Sequence, residues 1–111
     1  MTENDGSASE AEDCPPPSTP EGWQARTLQI VNRKGLHARA TAKLVQCVEA
    51  YDAQVTVTRC GETVGGTSIM GILTLGAGIG TSITVAATGP AAVDVLDAVE
   101  KLIAGKFGED E

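Results

Sequence analysis

Aromatic side chains are nearly missing from this sequence: one Trp, one Tyr and one Phe stand among 111 residues. A core must therefore be built from Ile, Val, Leu and Ala, and the stacking platforms that nucleic-acid binders use have no material here. Basic runs are also lacking, so no nucleic-acid partner is expected. Histidine occurs once and cysteine three times, without a Cys-x-x-Cys pair, which argues against a His/Cys zinc site. Neither a metal nor a cofactor is expected. No apolar run reaches the roughly 18 residues a membrane-spanning helix needs. The first residues have neither the basic start nor the apolar stretch of a signal peptide. Cys14, Cys47 and Cys60, odd in number and irregularly spaced, read as reduced thiols of a cytoplasmic protein.

What charge there is lies unevenly. The formal net charge is −7, but residues 1–22 carry −6 and residues 109–111 carry −3, leaving +2 on residues 23–108. The acidic character belongs to the ends. Residues 1–22, with prolines at 15–17 and many Ser, Thr, Glu and Asp, read as a disordered leader. Residues 109–111 read as an acidic tail, and 23–108 as one domain with room for one modest core. Within that domain Arg33, Lys34, Arg39 and Lys43 fall inside eleven residues around the only histidine. Such a field favours an anionic ligand or an acidic partner surface.

Periodicity organises the middle. TLQIVN (27–32) alternates as a half-buried strand, and the apolar positions Leu44, Cys47, Val48 and Tyr51 predict a one-sided helix from Ala38 to Ala50. QVTVTR (54–59) and TVGG (63–66) predict a hairpin around CGE. Ser68 is placed to cap a short helix in IMGILTLG, which Gly71 weakens and Gly76 ends. TSITVAAT (81–88) reads as a strand, and Pro90 opens a helix to Ala104 that Gly105 closes. The order β-α-β-β-α-β-α predicts an α+β domain, an antiparallel sheet with helices on one face.

Chemistry concentrates at NRKGLHARATAKLV (32–45). A histidine at a helix start lies where the N–H groups of Ala38, Arg39 and Ala40 have no intrahelical partner and where the helix dipole is positive. A phosphate is held by that combination, and Arg39 adds a forked, charge-assisted contact. A ring nitrogen of His37 in this setting can act as the nucleophile. The competing reading is a hydrogen-bonded surface histidine.

GLHARATAKLV, followed by TSIMGILTLG, resembles the HPr-type phosphocarrier proteins of the phosphoenolpyruvate-dependent sugar phosphotransferase system, over residues 26–107. The resemblance implies an open-faced β-sandwich of four antiparallel strands and three helices. It implies that His37 takes a phosphoryl group on Nδ1 from enzyme I and gives it to a IIA-type domain, with Arg39 flanking it. Ser68 matches a serine that a dedicated kinase/phosphorylase modifies in many members. Ala38, Ala42, Ile69, Met70, Ile72 and Leu73 match partner-facing positions, and the chain is expected to be monomeric. The family's usual proline after the arginine is Ala40 here. The alternative is a regulatory binding module, in a nitrogen-related or transcriptional branch, governed by Ser68 without carrier flux.

Overall fold

The computed structural model describes Cys14 and residues 16–109. Its elements are β1 (Gln24–Gln29), α1 (Ala38–Glu49), β2 (Gln54–Arg59), β3 (Glu62–Gly65), α2 (Ile69–Thr74), β4 (Ser82–Thr88) and α3 (Ala92–Ala104), followed by a 3-10 turn at Lys106–Gly108. The order is the expected one. All four strands join one antiparallel sheet in the sequence β1-β4-β2-β3, with the helices on one face. Strand alternation sorts the side chains. Val57 lies opposite Val85 and Val55 opposite Ala87 on the helix side, where all four are buried. Thr56, Thr58, Thr84 and Ala86 point the other way.

The helices supply the other half of the core. From α1 come Ala40, Leu44, Val45 and Val48, spaced to line one stripe, and from α3 come Ala92, Val95, Leu96, Val99 and Ile103. Phe107, the single phenylalanine, is buried among them. Cys47 and Tyr51 are half-buried at the rim of the core.

Three expectations need correction. The first strand runs three residues earlier than the sequence pattern suggested, because Gln24 to Gln29 pair in register with Ala87 to Ser82. Beyond it Ile30 donates to the Thr81 carbonyl and Asn32 turns fully inside, which ends the alternation. The last helix starts at Ala92 rather than at Pro90. The Ala91 N–H donates to the Asp52 carbonyl and the Ala92 N–H to that of Gly89, so Pro90 sits in a turn ahead of the helix.

The third correction concerns the thiols. Cys14 and Cys60 are joined by a disulfide, with Cα atoms 4.9 Å apart, and Cys47 is the free one. Their separation of 46 residues hides the pairing from any local pattern. Chain reversal creates it: the Trp23 N–H donates to the Pro20 carbonyl (3.1 Å), so residues 16–20 double back across the outer sheet face to the hairpin turn at Cys60. Thr58 and Thr84, on that outer face, are buried although no helix covers them. Of the leader expected at residues 1–22, residues 1–13 and 15 lie outside the described residues, while 16–20 lie against the outer sheet face and 21–22 form the turn into β1.

Candidate functional site

The site starts from a backbone constraint. Gly35 has φ +67, and a Cβ there would fall 2.6 Å from the Ala77 carbonyl oxygen and 2.7 Å from the Gly78 Cα. Only glycine permits that approach. It lets Leu36 donate to the Ala77 carbonyl (2.9 Å), which fixes the loop and delivers the next residue to the start of α1. That residue is His37, the N-cap, in extended conformation, and its Nδ1 accepts the Arg39 N–H at 3.3 Å. The ring therefore fills the capping role usually held by Ser, Thr, Asp or Asn.

Its other nitrogen is also held. Nε2–H donates to the Glu109 carboxylate, whose second oxygen accepts from the Asn32 side-chain amide at 3.1 Å. Asn32 is itself fully buried and fixed by a 2.9 Å donation to the Gly35 carbonyl. Glu109 arrives at the site through the turn after α3. Its N–H donates to the Lys106 carbonyl, and Lys43 clamps the Phe107 carbonyl with a 2.6 Å bond. The contact with His37, then that with Asn32, holds the Glu109 carboxyl below its ordinary range. A lowered carboxylate pKa supports the folded arrangement above the ordinary value of 4.5 and loses that support only as pH falls through the lower, folded value. The Glu109 carboxylate is therefore ionised throughout the neutral range.

Together these contacts assign the proton to Nε2 and leave a lone pair on Nδ1. The lone pair points at a helix N-terminus, the environment in which an anionic group gains from the dipole and the unpaired N–H groups. Ala38 is exposed, Arg39 is exposed, and Ala40 is buried in the core. Among the described residues the Arg39 guanidinium makes no ion pair, so it is free to swing onto an arriving group. Lys43 is not: its ammonium belongs to the tail clamp.

A second feature lies alongside. Ser68 caps α2, its Oγ accepting from the Gly71 N–H at 3.1 Å. Gly71 does more than weaken that helix. A Cβ there would meet the Ser68 Oγ at 2.8 Å and the Val64 Cβ at 3.0 Å, so glycine is what allows the cap and the approach to β3. Ser68 is exposed, as are Ile69 (42%) and Met70 (72%), and α2 packs against α1. Ile72 is a correction to the expected partner-facing set: at 0% exposure it is a core residue that supports α2 from beneath. Leu73 and Ala42 are half-buried, and Ile79, on the loop after α2, is exposed at 58%.

Sequence reasoning placed His37 and Ser68 at helix starts, where the structure has them, but did not single out Asn32 and Glu109. Asn32 reads as the last polar position of a half-buried strand, and Glu109 as the first of three tail acids. The one available signal was the FGE that follows Gly105: an isolated aromatic just past a helix end, able to anchor whatever comes next.

Comparison with known proteins agrees with this geometry. The family model described as "PTS HPr component phosphorylation site" matches residues 24–105. Phosphocarrier protein HPr of Cupriavidus necator is 45% identical over 86 residues, covering 78% of this chain and 97% of its own. The crystal structure of HPr from Thermoanaerobacter tengcongensis superposes with a TM-score of 0.76 at 35% identity, covering 79% of this chain and 99% of that one. That of a phosphocarrier protein HPr from Bacillus anthracis gives 0.72 at 31%, over 75% and 99%. With a helix-capping histidine, a tail carboxylate on its Nε2 and matches over nearly the whole ordered fold, the chain belongs to the HPr family of phosphocarrier proteins of the phosphotransferase system.

Proposed function

We propose that His37 Nδ1 takes a phosphoryl group from the phosphohistidine of enzyme I and passes it to a IIA-type acceptor domain. The observation that carries this reading is the ring's double anchoring, Nε2–H to Glu109 and Nδ1 toward the Arg39 N–H. In the transfer, the Nδ1 lone pair forms a bond to phosphorus while the donor's P–N bond breaks and its electron pair stays on the departing imidazole. The Arg39 N–H, released by the ring nitrogen it was bonded to, turns to a phosphoryl oxygen. The N–H groups of Ala38 and Ala40 and the Arg39 guanidinium offer further donors. Glu109 balances the positive charge that develops on the ring. The second transfer reverses these steps toward the acceptor. Little beyond positioning and charge is needed, which suits a domain of this size. Every one of these groups comes from one chain, so a monomer suffices for the transfer.

The direct test is incubation with phosphoenolpyruvate and enzyme I. An acid-labile mass gain confined to His37 is expected; an unmodified His37, or a gain elsewhere only, sinks the reading. Glu109→Gln tests the supporting carboxylate. Its neutral amide still reaches the ring but no longer balances charge, so the phosphorylation rate should fall about fivefold, the scale of a weakened charge-assisted hydrogen bond. Ring nitrogen NMR should show the Nε2–H signal broadened or shifted. An unchanged rate and spectrum would remove Glu109 from the working site.

A regulatory layer at Ser68 rests on its exposure beside Ile69 and Met70. A phosphate added by a serine kinase/phosphorylase keeps oxygens able to accept the Gly71 N–H, while placing about −1.5 to −2 charges beside an apolar docking patch. Ser68→Glu should therefore leave the fold intact and weaken the encounter with enzyme I by about tenfold at low salt, less at high salt. An affinity equal to the parent's at both salt concentrations contradicts the electrostatic account.

A further inference from the structure

The Cys14–Cys60 disulfide is the one covalent feature that phosphoryl transfer does not use. Cys60 occupies the first central position of the two-residue turn between β2 and β3, where Arg59 pairs with Glu62. Its φ is +50 and that of Gly61 +84, the left-handed pair of a type I′ hairpin. Asn, Asp or Gly is favoured at that first position because L side chains resist positive φ. Cys60 is also exposed, so its side chain gains little from packing. A cysteine placed there contributes through its sulfur.

The segment it holds is otherwise weakly attached. Residues 16–20 are all exposed, and among the described residues the hydrogen bonds securing the stretch are at its far end, from the Trp23 N–H to the Pro20 carbonyl and from the Thr88 hydroxyl to the Gly22 carbonyl (2.8 Å). Beneath Pro17 and Pro20 the packing is incomplete. A cavity of about 200 Å³ separates them from Trp23, Thr56, Thr58 and Thr84 on the outer sheet face. Prolines over a hollow floored by threonine and alanine do not make a tight core. Among the described residues, the disulfide is the one covalent restraint on this strap.

We infer that Cys14–Cys60 is a reversible redox clip, holding residues 16–20 across the outer face of the sheet when oxidised and releasing them when a dithiol reductant opens the bond. One thiolate of the dithiol attacks the Sγ of Cys60, an exposed residue, forming a mixed disulfide, and half-buried Cys14 departs as a thiolate that takes up a proton. The second thiol of the reductant then displaces Cys60. The dithiol ends as a disulfide, and two electrons and two protons end on Cys14 and Cys60. Cys47 takes no part: it is half-buried on α1, and burial pushes its thiol up, away from the reactive thiolate. The clip lies on the sheet face opposite the helices, so this inference does not rest on the proposed phosphoryl transfer.

Trp23, the only tryptophan, lines the hollow and reports the strap's position. The experiment uses the full-length chain, oxidised and then exposed to graded dithiothreitol, with Cys14→Ser, Cys60→Ser and Cys47→Ser as companions. Non-reducing peptide mapping should link Cys14 to Cys60 in the parent and in Cys47→Ser. Reduction of the native protein should move Trp23 emission to longer wavelength and speed cleavage after Glu21 by a glutamyl endopeptidase about tenfold, as a locally opened segment requires. Cys14→Ser and Cys60→Ser should show both properties without reductant. Three alkylatable thiols in the oxidised native protein would overturn the inference. So would a bond that yields to dithiol only after denaturation, since that is a permanent staple. A bond that opens with no change in Trp23 emission or in Glu21 cleavage would overturn it as well, because the strap would then stay in place unaided.

Discussion

Replacing His37 with alanine abolishes phosphoryl acceptance from enzyme I while the domain remains folded. The two halves of that result have separate causes. Chemistry is lost completely because His37 is the only imidazole of the chain; Arg39 and the N–H groups of Ala38 and Ala40 can bind a phosphoryl group but cannot form the bond to phosphorus. Stability falls only modestly. The ring is partly exposed and its largest structural role is to cap α1, a contribution worth about 1 kcal/mol. Glu109 loses one partner and keeps Asn32. Mass spectrometry after incubation with phosphoenolpyruvate and enzyme I reads the first half, and a urea melt reads the second. Acid-labile label on the variant would show that another residue accepts the group. A loss of stability well beyond the capping scale would show that the ring holds the fold, and absence of label would then say nothing about chemistry.

The placement of His37, Arg39 and Ser68 at helix starts was legible in the sequence because it depends on each one's own stretch of chain. A histidine behind Lys-Gly-Leu becomes an N-cap through the turn at Gly35, and Ser68 caps a helix that begins at the next residue. The element order and the one-sided helices were legible for the same reason, since period and capping are local. What was hidden depends on contacts between distant residues. Glu109 lies 72 positions from His37 and 77 from Asn32, and it reaches them only because α3 crosses the sheet and ends beside the start of α1. Cys14 meets Cys60 only after the chain reverses near Pro20. The boundaries of β1 likewise follow its partner β4 rather than its own alternation. Ile72 illustrates the limit within a motif: the sequence places it on the docking helix, and only packing shows that it points inward.

Phe107→Ala should give the largest loss of stability of any substitution near the site and should disconnect Glu109 from His37. Phe107 is 1% exposed, and truncating a buried phenylalanine to alanine costs about 3–5 kcal/mol. Domains of this kind hold only about 5–15 kcal/mol in total, so the shift in denaturation midpoint is large. Its backbone makes the position unusual. Lys106 and Phe107 both have positive φ, at 59 and 55, a conformation that L residues resist and that alanine resists equally. The buried ring is what offsets that conformation and holds the turn in place. Without it, the bonds from Gly108 to the Gly105 carbonyl and from Glu109 to the Lys106 carbonyl lose their support, and the Lys43 clamp has no fixed carbonyl to grip. The carboxylate two residues on then leaves the imidazole. Two measurements separate the linked effects: a denaturant midpoint for stability, and the His37 Nε2–H signal for the contact. Phe107→Leu, which keeps an apolar plug, should retain the signal with a smaller loss of stability. Glu109→Gln should do the opposite, disturbing the signal with little change in midpoint. If Phe107→Ala were destabilised yet kept the parent's Nε2–H signal, the tail would be held by Asn32 and His37 themselves, and Phe107 would serve the core alone.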